Sequence, residues 1–168
     1  MAVPPEISSL VYDWNAPEPR APQRPVALLD DTLRDGLQST AVRQPTLDER
    51  SELLVAMRRA GIDAVNLGLP AVSPDAASAI VRLAKEAAAL GLGVVCAGRT
   101  LEADMRAIVG VAERSGFVLE GHAFVGASAI RAQVEGWELA VLQARTAAAI
   151  DTLVRAGLSA AFPRRRAL

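Results

Sequence analysis

Between residues 26 and 162, short apolar runs alternate with longer stretches of helical period, and a glycine stands at each return from helix to strand. The runs are Val26 to Leu29, Ile62 to Leu69, Leu92 to Ala97, Phe117 to Phe124 and a weaker one at Leu158 to Phe162. Each is short enough to be a buried parallel strand. Apolar spacing such as Leu53/Leu54/Met57/Ala60 and Met105/Ile108/Val109/Ala112 predicts helices at roughly 46–60, 73–90, 100–115 and 134–156. Three starts carry cap chemistry: Thr46 with Glu49 three residues on, Ser73 ahead of Pro74, and Thr100 ahead of Leu-Glu. Gly61, Gly91, Gly116 and Gly157 mark the ends, where a residue without a β-carbon turns left-handed at least cost.

A β-α-β-α-β-α-β-α-β string means parallel strands joined by right-handed crossovers, either in an open flavodoxin-like sheet or in part of a TIM (β/α)8 barrel. Its 168 residues suit an open five-stranded sheet, whereas a whole barrel takes about 250 residues. The first βα turn, however, has neither a G-x-G-x-x-G nor a G-x-x-x-x-G-K-[ST] phosphate loop. With 51% hydrophobic residues the chain can build one cored domain, and a net charge of -1 gives it no basic footprint for nucleic acid or anionic lipid. No run approaches the roughly 18 apolar residues of a membrane span. One cysteine, Cys96, and no signal-like amino terminus point to a cytoplasmic protein. One histidine and one cysteine also exclude a His/Cys metal cluster built from this chain alone. Residues 1–25 hold six of the ten prolines and read as an extended leader whose Tyr12 and Trp14 lie against the domain.

The chemistry gathers after the first strand. Asp30, Asp31, Arg34 and Asp35 follow the apolar run directly, at the carboxyl edge where parallel α/β proteins place ligands. A carboxylate there suits a hard divalent cation, and a guanidinium suits negative charge developing on oxygen. Gly36 permits a tight turn, and Gln38 adds an amide donor and acceptor.

Taken whole, Asp30-Asp-Thr-Leu-Arg-Asp-Gly-Leu-Gln38 resembles the D-x-T-L-R-D-G-x-Q signature of the pyruvate carboxyltransferase (HMGL-like) superfamily. The likeness runs on through Ala60 to Pro74, Cys96-Ala-Gly-Arg-Thr100 and Gly121-His-Ala-Phe-Val-Gly-Ala-Ser128, and is greatest to the 2-isopropylmalate synthase branch. The resemblance implies an α/β fold that is the N-terminal half of a TIM barrel, about four βα units and a partial fifth strand over 26–162. It implies a Claisen condensation of an acyl-CoA with a 2-oxo acid held on a divalent metal (Mg, Mn or Zn). HMG-CoA lyase-like cleavage of a C–C bond is the close alternative. Carried over by position, Asp35 is a metal ligand, Arg34 the catalytic cation, and Gln38, Arg99 and His122 are substrate contacts. Arg34, Gly68, Arg99 and Gly126 are expected near one sheet edge, with strands in sequence order.

The sequence departs from the pattern in places. Asn66 stands where the family commonly has glutamate, and Ala127, Ala129 and Arg131 where Thr, Asp and His are common. The His-x-His pair that supplies two metal ligands has no counterpart, and the basic end 163–168 does not resemble the family. The expectation is a truncated half-barrel, inactive alone, that self-associates or is completed by a second half, with a non-catalytic half-barrel as the other reading.

Overall fold

The computed structural model describes residues 26–160. The proline-rich leader with Tyr12 and Trp14, and the end of the chain including Phe162, lie outside the described residues. Five parallel strands form one sheet in the order β1-β2-β3-β4-β5. They are β1 (Leu29–Asp30), β2 (Ala64–Asn66), β3 (Gly93–Arg99), β4 (Glu120–Phe124) and β5 (Ser159–Ala160). The flavodoxin-like order 2-1-3-4-5 is thereby overturned. Strands laid down in sequence order by right-handed crossovers leave every helix on one face, whereas a doubly wound sheet must reverse direction to cover both. The fold is therefore that of a partial TIM-type barrel.

The connecting helices are α1 (Leu47–Arg59), α2 (Pro74–Ala89), α3 (Glu102–Ser115), α4 (Ala129–Glu135) and α5 (Leu139–Arg155). Helix α1 opens on a complete capping box, Thr46 accepting from the Glu49 N–H while the Glu49 carboxylate accepts from the Thr46 N–H. Ser73 caps α2 ahead of Pro74. Thr100 does not cap α3: the cap position is Leu101, without a side-chain bond, and Thr100 is buried. The expected helix over 134–156 is two helices. Gly136, at φ 65°, ends α4 in the left-handed region, and Ser128 caps its start by accepting from the Arg131 N–H. Gly61, Gly91, Gly116 and Gly157 all hold positive φ at the helix-to-strand turns.

The strands are shorter than the apolar runs for local reasons. The Leu28 N–H donates to the Asp63 carboxylate at 2.7 Å, so β1 pairs regularly only from Leu29. β2 gives way at Gly68, φ 113°, although Leu67 and Gly68 still exchange backbone bonds with Val95 and Ala97.

The two faces of the sheet differ. Val65, Val94 and Cys96 point into the core beneath the helices, with Leu54, Leu83, Met105, Ile108 and Leu153. Their alternates Asn66, Val95 and Ala97 are buried on the other, concave face. The helix layer sits so close that a β-carbon on Gly121 would lie 2.6 Å from Leu153 Cδ1, and one on Gly98 2.7 Å from Met105 Cε.

These two glycines generate a prediction. Gly121→Ala drives a methyl into the branched head of a fully buried leucine and should cost about 1–3 kcal/mol. Gly98→Ala meets the movable end of a methionine and should cost less. Chemical denaturation of the two variants checks the ranking.

Candidate functional site

The turn after β1 is held by one acceptor. The Asp31 carbonyl receives the N–H groups of Arg34, Asp35 and Gly36 at 3.1, 2.8 and 3.3 Å. Asp30 caps the same turn by accepting from the Thr32 N–H at 2.8 Å. Leu33 is buried in the core and pins the loop, and a 3-10 turn, Gly36–Gln38, follows. With the backbone fixed in this way, Arg34 lies across the carboxyl edge of the sheet. Its Nη1 donates to Asp35 Oδ2 at 2.7 Å and stands 3.9 Å from Asp31 Oδ1. Its guanidinium carbon sits 5.4 Å from the ring centre of Phe124, at the end of β4. Arg34 Nε and Asp31 Oδ1 are buried without a hydrogen-bond partner among the described residues. Orphaned polar atoms of this kind are rare in native folds and ask for an occupant.

Beside Arg34 a cleft of about 320 Å³ opens between the β1 turn and the loop after β2. Leu33, Leu67, Gly68 and Ile80 line its apolar floor, and Arg34 and Gln38 its polar rim. Gln38 is thus brought to the same opening as Arg34.

His122 stands on the concave face of β4. Because Gly121 faces Leu153 of α5, its neighbours Glu120 and His122 and, two further on, Phe124 face the other way. The His122 ring is half-buried, and its Nε2 lies 2.7 Å from Glu120 Oε1. Glu120 is the site residue that motif matching missed. Its spacing of two from His122 on a strand was the available signal.

Arg99 does not join the cluster. Its backbone N–H and its Nε and Nη2 all donate to the Asp104 carboxylate, each at 2.9 Å, which turns the side chain back onto α3. Asp104 is buried. Burial pushes its carboxyl upward, but the Arg99 hydrogen bonds and charge outweigh this and hold it below the usual carboxylate value. Cys96, behind β3, is pushed up to about 12 by burial, which makes it a structural thiol.

A divalent metal is implied by the resemblance, and the described residues do not fit one. Asp35 offers a single carboxylate already bound by Arg34, and His122 Nε2 is taken by Glu120. No group of three or more His, Cys, Asp or Glu side chains among the described residues could hold an ion. Asn66 spends its side-chain oxygen on the Gly68 N–H.

The family model described as HMGL-like matches residues 25–158. The chain belongs to the HMGL-like family. A homocitrate synthase of Saccharolobus islandicus is 42% identical over 60 residues, 36% of this chain and 13% of the relative. A 2-isopropylmalate synthase of Shewanella halifaxensis is 32% identical over 112 residues, 64% of this chain and 20% of the relative. The chain thus spans a fifth or less of these curated relatives, which are themselves members of the superfamily. No helix among the described residues is long and apolar enough to cross a membrane.

Two predictions follow from the buried groups. Because the folded Asp104 carboxyl is depressed, its stabilisation is present above the unfolded carboxylate range and is lost as pH falls through the folded value. Asp104→Asn should therefore cost about 2 kcal/mol at neutral pH, with the gap to the parent narrowing in acid denaturation below about pH 4. Cys96 should stay unmodified by a thiol reagent at pH 8 in the folded protein and react fully in denaturant. Fast native-state labelling would contradict its burial.

Proposed function

We propose that this chain carries the first part of a 2-isopropylmalate synthase-like condensation site, in the cytoplasm, that joins an acyl-CoA to a 2-oxo acid. The observation that carries the reading is Arg34. Its side chain is 19% exposed, its Nε has no hydrogen-bond partner among the described residues, and its Nη1 lies 2.7 Å from Asp35 and 3.9 Å from Asp31 at the carboxyl edge. A guanidinium so placed serves the carboxylate of a 2-oxo acid and the oxyanion that forms when its carbonyl carbon is attacked. Gln38 orients the acid from the rim of the cleft, and His122 contacts it from the concave face.

Members of the family use a divalent metal that the described residues do not fit; were one bound, Asp35 would be the sole candidate carboxylate from this chain's motif, and the other ligands would have to come from polypeptide packing beside these strands. β1 and β5 each pair on one side only among the described residues, so their outer edges offer that polypeptide backbone hydrogen bonds. The synthase names of the relatives favour condensation over lyase-type cleavage.

The sole histidine makes the reading testable by NMR, since its ring signals are unique in the chain. Titration with 2-oxoisovalerate should shift the His122 ring signals, and Arg34→Ala should weaken that response about tenfold or more. No shift at millimolar acid, or an unchanged response in the variant, would overturn the assignment. The purified chain should release no free thiol from acetyl-CoA with 2-oxoisovalerate and Mg2+ or Mn2+. Turnover abolished by Asp35→Ala would show the ligand set to be complete. Light scattering at micromolar concentration should find self-association through the unpaired edges, and a monodisperse monomer would count against it.

A further inference from the structure

His122 is the only imidazole in the chain, and the group it bonds is a carboxylate on its own strand, two residues back and on the same face. A carboxylate only accepts hydrogen bonds, so at 2.7 Å the ring nitrogen facing it must carry a proton. Both partners are mostly withdrawn from water, with side-chain exposures of 29% and 22%. This strengthens the bond relative to one at the open surface. Nδ1 has no hydrogen bond among the described residues.

We infer that Glu120 is a positioning residue that fixes His122 with its proton on Nε2 and leaves Nδ1 as a hydrogen-bond acceptor. The pairing logic is that of metal-bound and catalytic histidines, whose working nitrogen is set by the partner of the other one. Two residues further along the same face of β4, Phe124 carries the Arg34 guanidinium 5.4 Å from its ring centre, while Arg99, in register with Phe124 on β3, is drawn onto Asp104. The cation and the acceptor therefore share one strand face. That pair of features selects a ligand with an anionic group for Arg34 and an O–H or N–H donor for Nδ1. A 2-hydroxy acid has both, whereas a 2-oxo acid lacks the donor. Resting on the condensation reading, this makes His122 a contact to the hydroxyl that the condensation creates on the former keto oxygen. The keto group itself is left to Arg34.

The test needs no ligand for its first part, so it can fail independently of the condensation reading. Nitrogen-15 spectra of the full chain are recorded at alkaline pH, where a single ring proton gives the two nitrogens distinct signals. Nε2 should be protonated and Nδ1 bare, with an Hε2 signal that exchanges slowly with water. Glu120→Ala should speed that exchange about tenfold or more and let the tautomer drift toward the mixture of free imidazole. Glu120→Gln, whose amide oxygen can still accept, should restore most of the protection. Amide spectra of both variants establish that each is folded. If Glu120→Ala unfolds the chain, the Glu120→Gln spectrum decides alone: loss of the Nε2 proton there, or a bare Nε2 in the parent, overturns the proposal. In the second part, 2-isopropylmalate should move the His122 nitrogen signals more than 2-oxoisovalerate at equal concentration. Equal or reversed responses would overturn the hydroxyl contact while leaving the tautomer assignment and the condensation reading standing.

Discussion

Everything at the carboxyl edge depends on how closely one layer of helices seats on one face of the sheet. Gly98 and Gly121 have no side chain where Met105 and Leu153 press in, and those contacts fix which alternate residues of β3 and β4 turn outward. Strand alternation then does the rest: with Gly121 committed to the helices, Glu120, His122 and Phe124 must share the concave face. A residue of ordinary size at position 121 would push α5 away and loosen the register on which the Glu120–His122 pair and the seat for Arg34 both rest. The glycines are therefore part of the site, although they touch nothing in it.

The two arginines of the edge show how the same side chain is put to opposite uses. Arg99 meets a carboxylate buried in α3 and spends its backbone N–H and two guanidinium nitrogens on it, so it closes a strand–helix junction. Arg34 meets carboxylates that remain partly exposed, has no partner for Nε among the described residues, and rests on an aromatic ring. A guanidinium drawn back onto a buried carboxylate keeps only its outward N–H groups, at the exposed surface, for a ligand. A cation held in a half-dry place with an unused donor can bind an anion without first breaking a strong internal pair.

How much of this was legible in the sequence depended on range. The capping box at Thr46 and the glycine-ended helices were readable because each is decided within a few residues. The strand order was legible only through the motif resemblance, since periodicity alone fits an open sheet or a barrel, and length by itself suits the open sheet that the observed order excludes. The motif from Asp30 to Gln38 lies in one turn, which brings Arg34, Asp35 and Gln38 side by side. Arg99 was assigned to substrate from a short motif, and its partner Asp104, five residues on, lies across a strand-to-helix turn whose geometry the motif does not encode. Thr100 looked like a cap by type, yet the turn placed Leu101 in that position and buried the threonine. The break at Gly136 was hidden because the apolar spacing on either side fits one long helix as well as two.

The charge balance of the concave face bears on what these residues can take up by themselves. Asn66 is neutral and its oxygen is occupied by the Gly68 N–H, and Asp35 is held by Arg34. A divalent ion arriving at these residues alone would have to compete with a guanidinium for its one carboxylate, and a second cation beside Arg34 would be repelled. An anion faces neither obstacle. Its carboxylate can take the unused Arg34 Nε and leave the pair with Asp35 in place, so the acid needs no ion to prepare this half of the site.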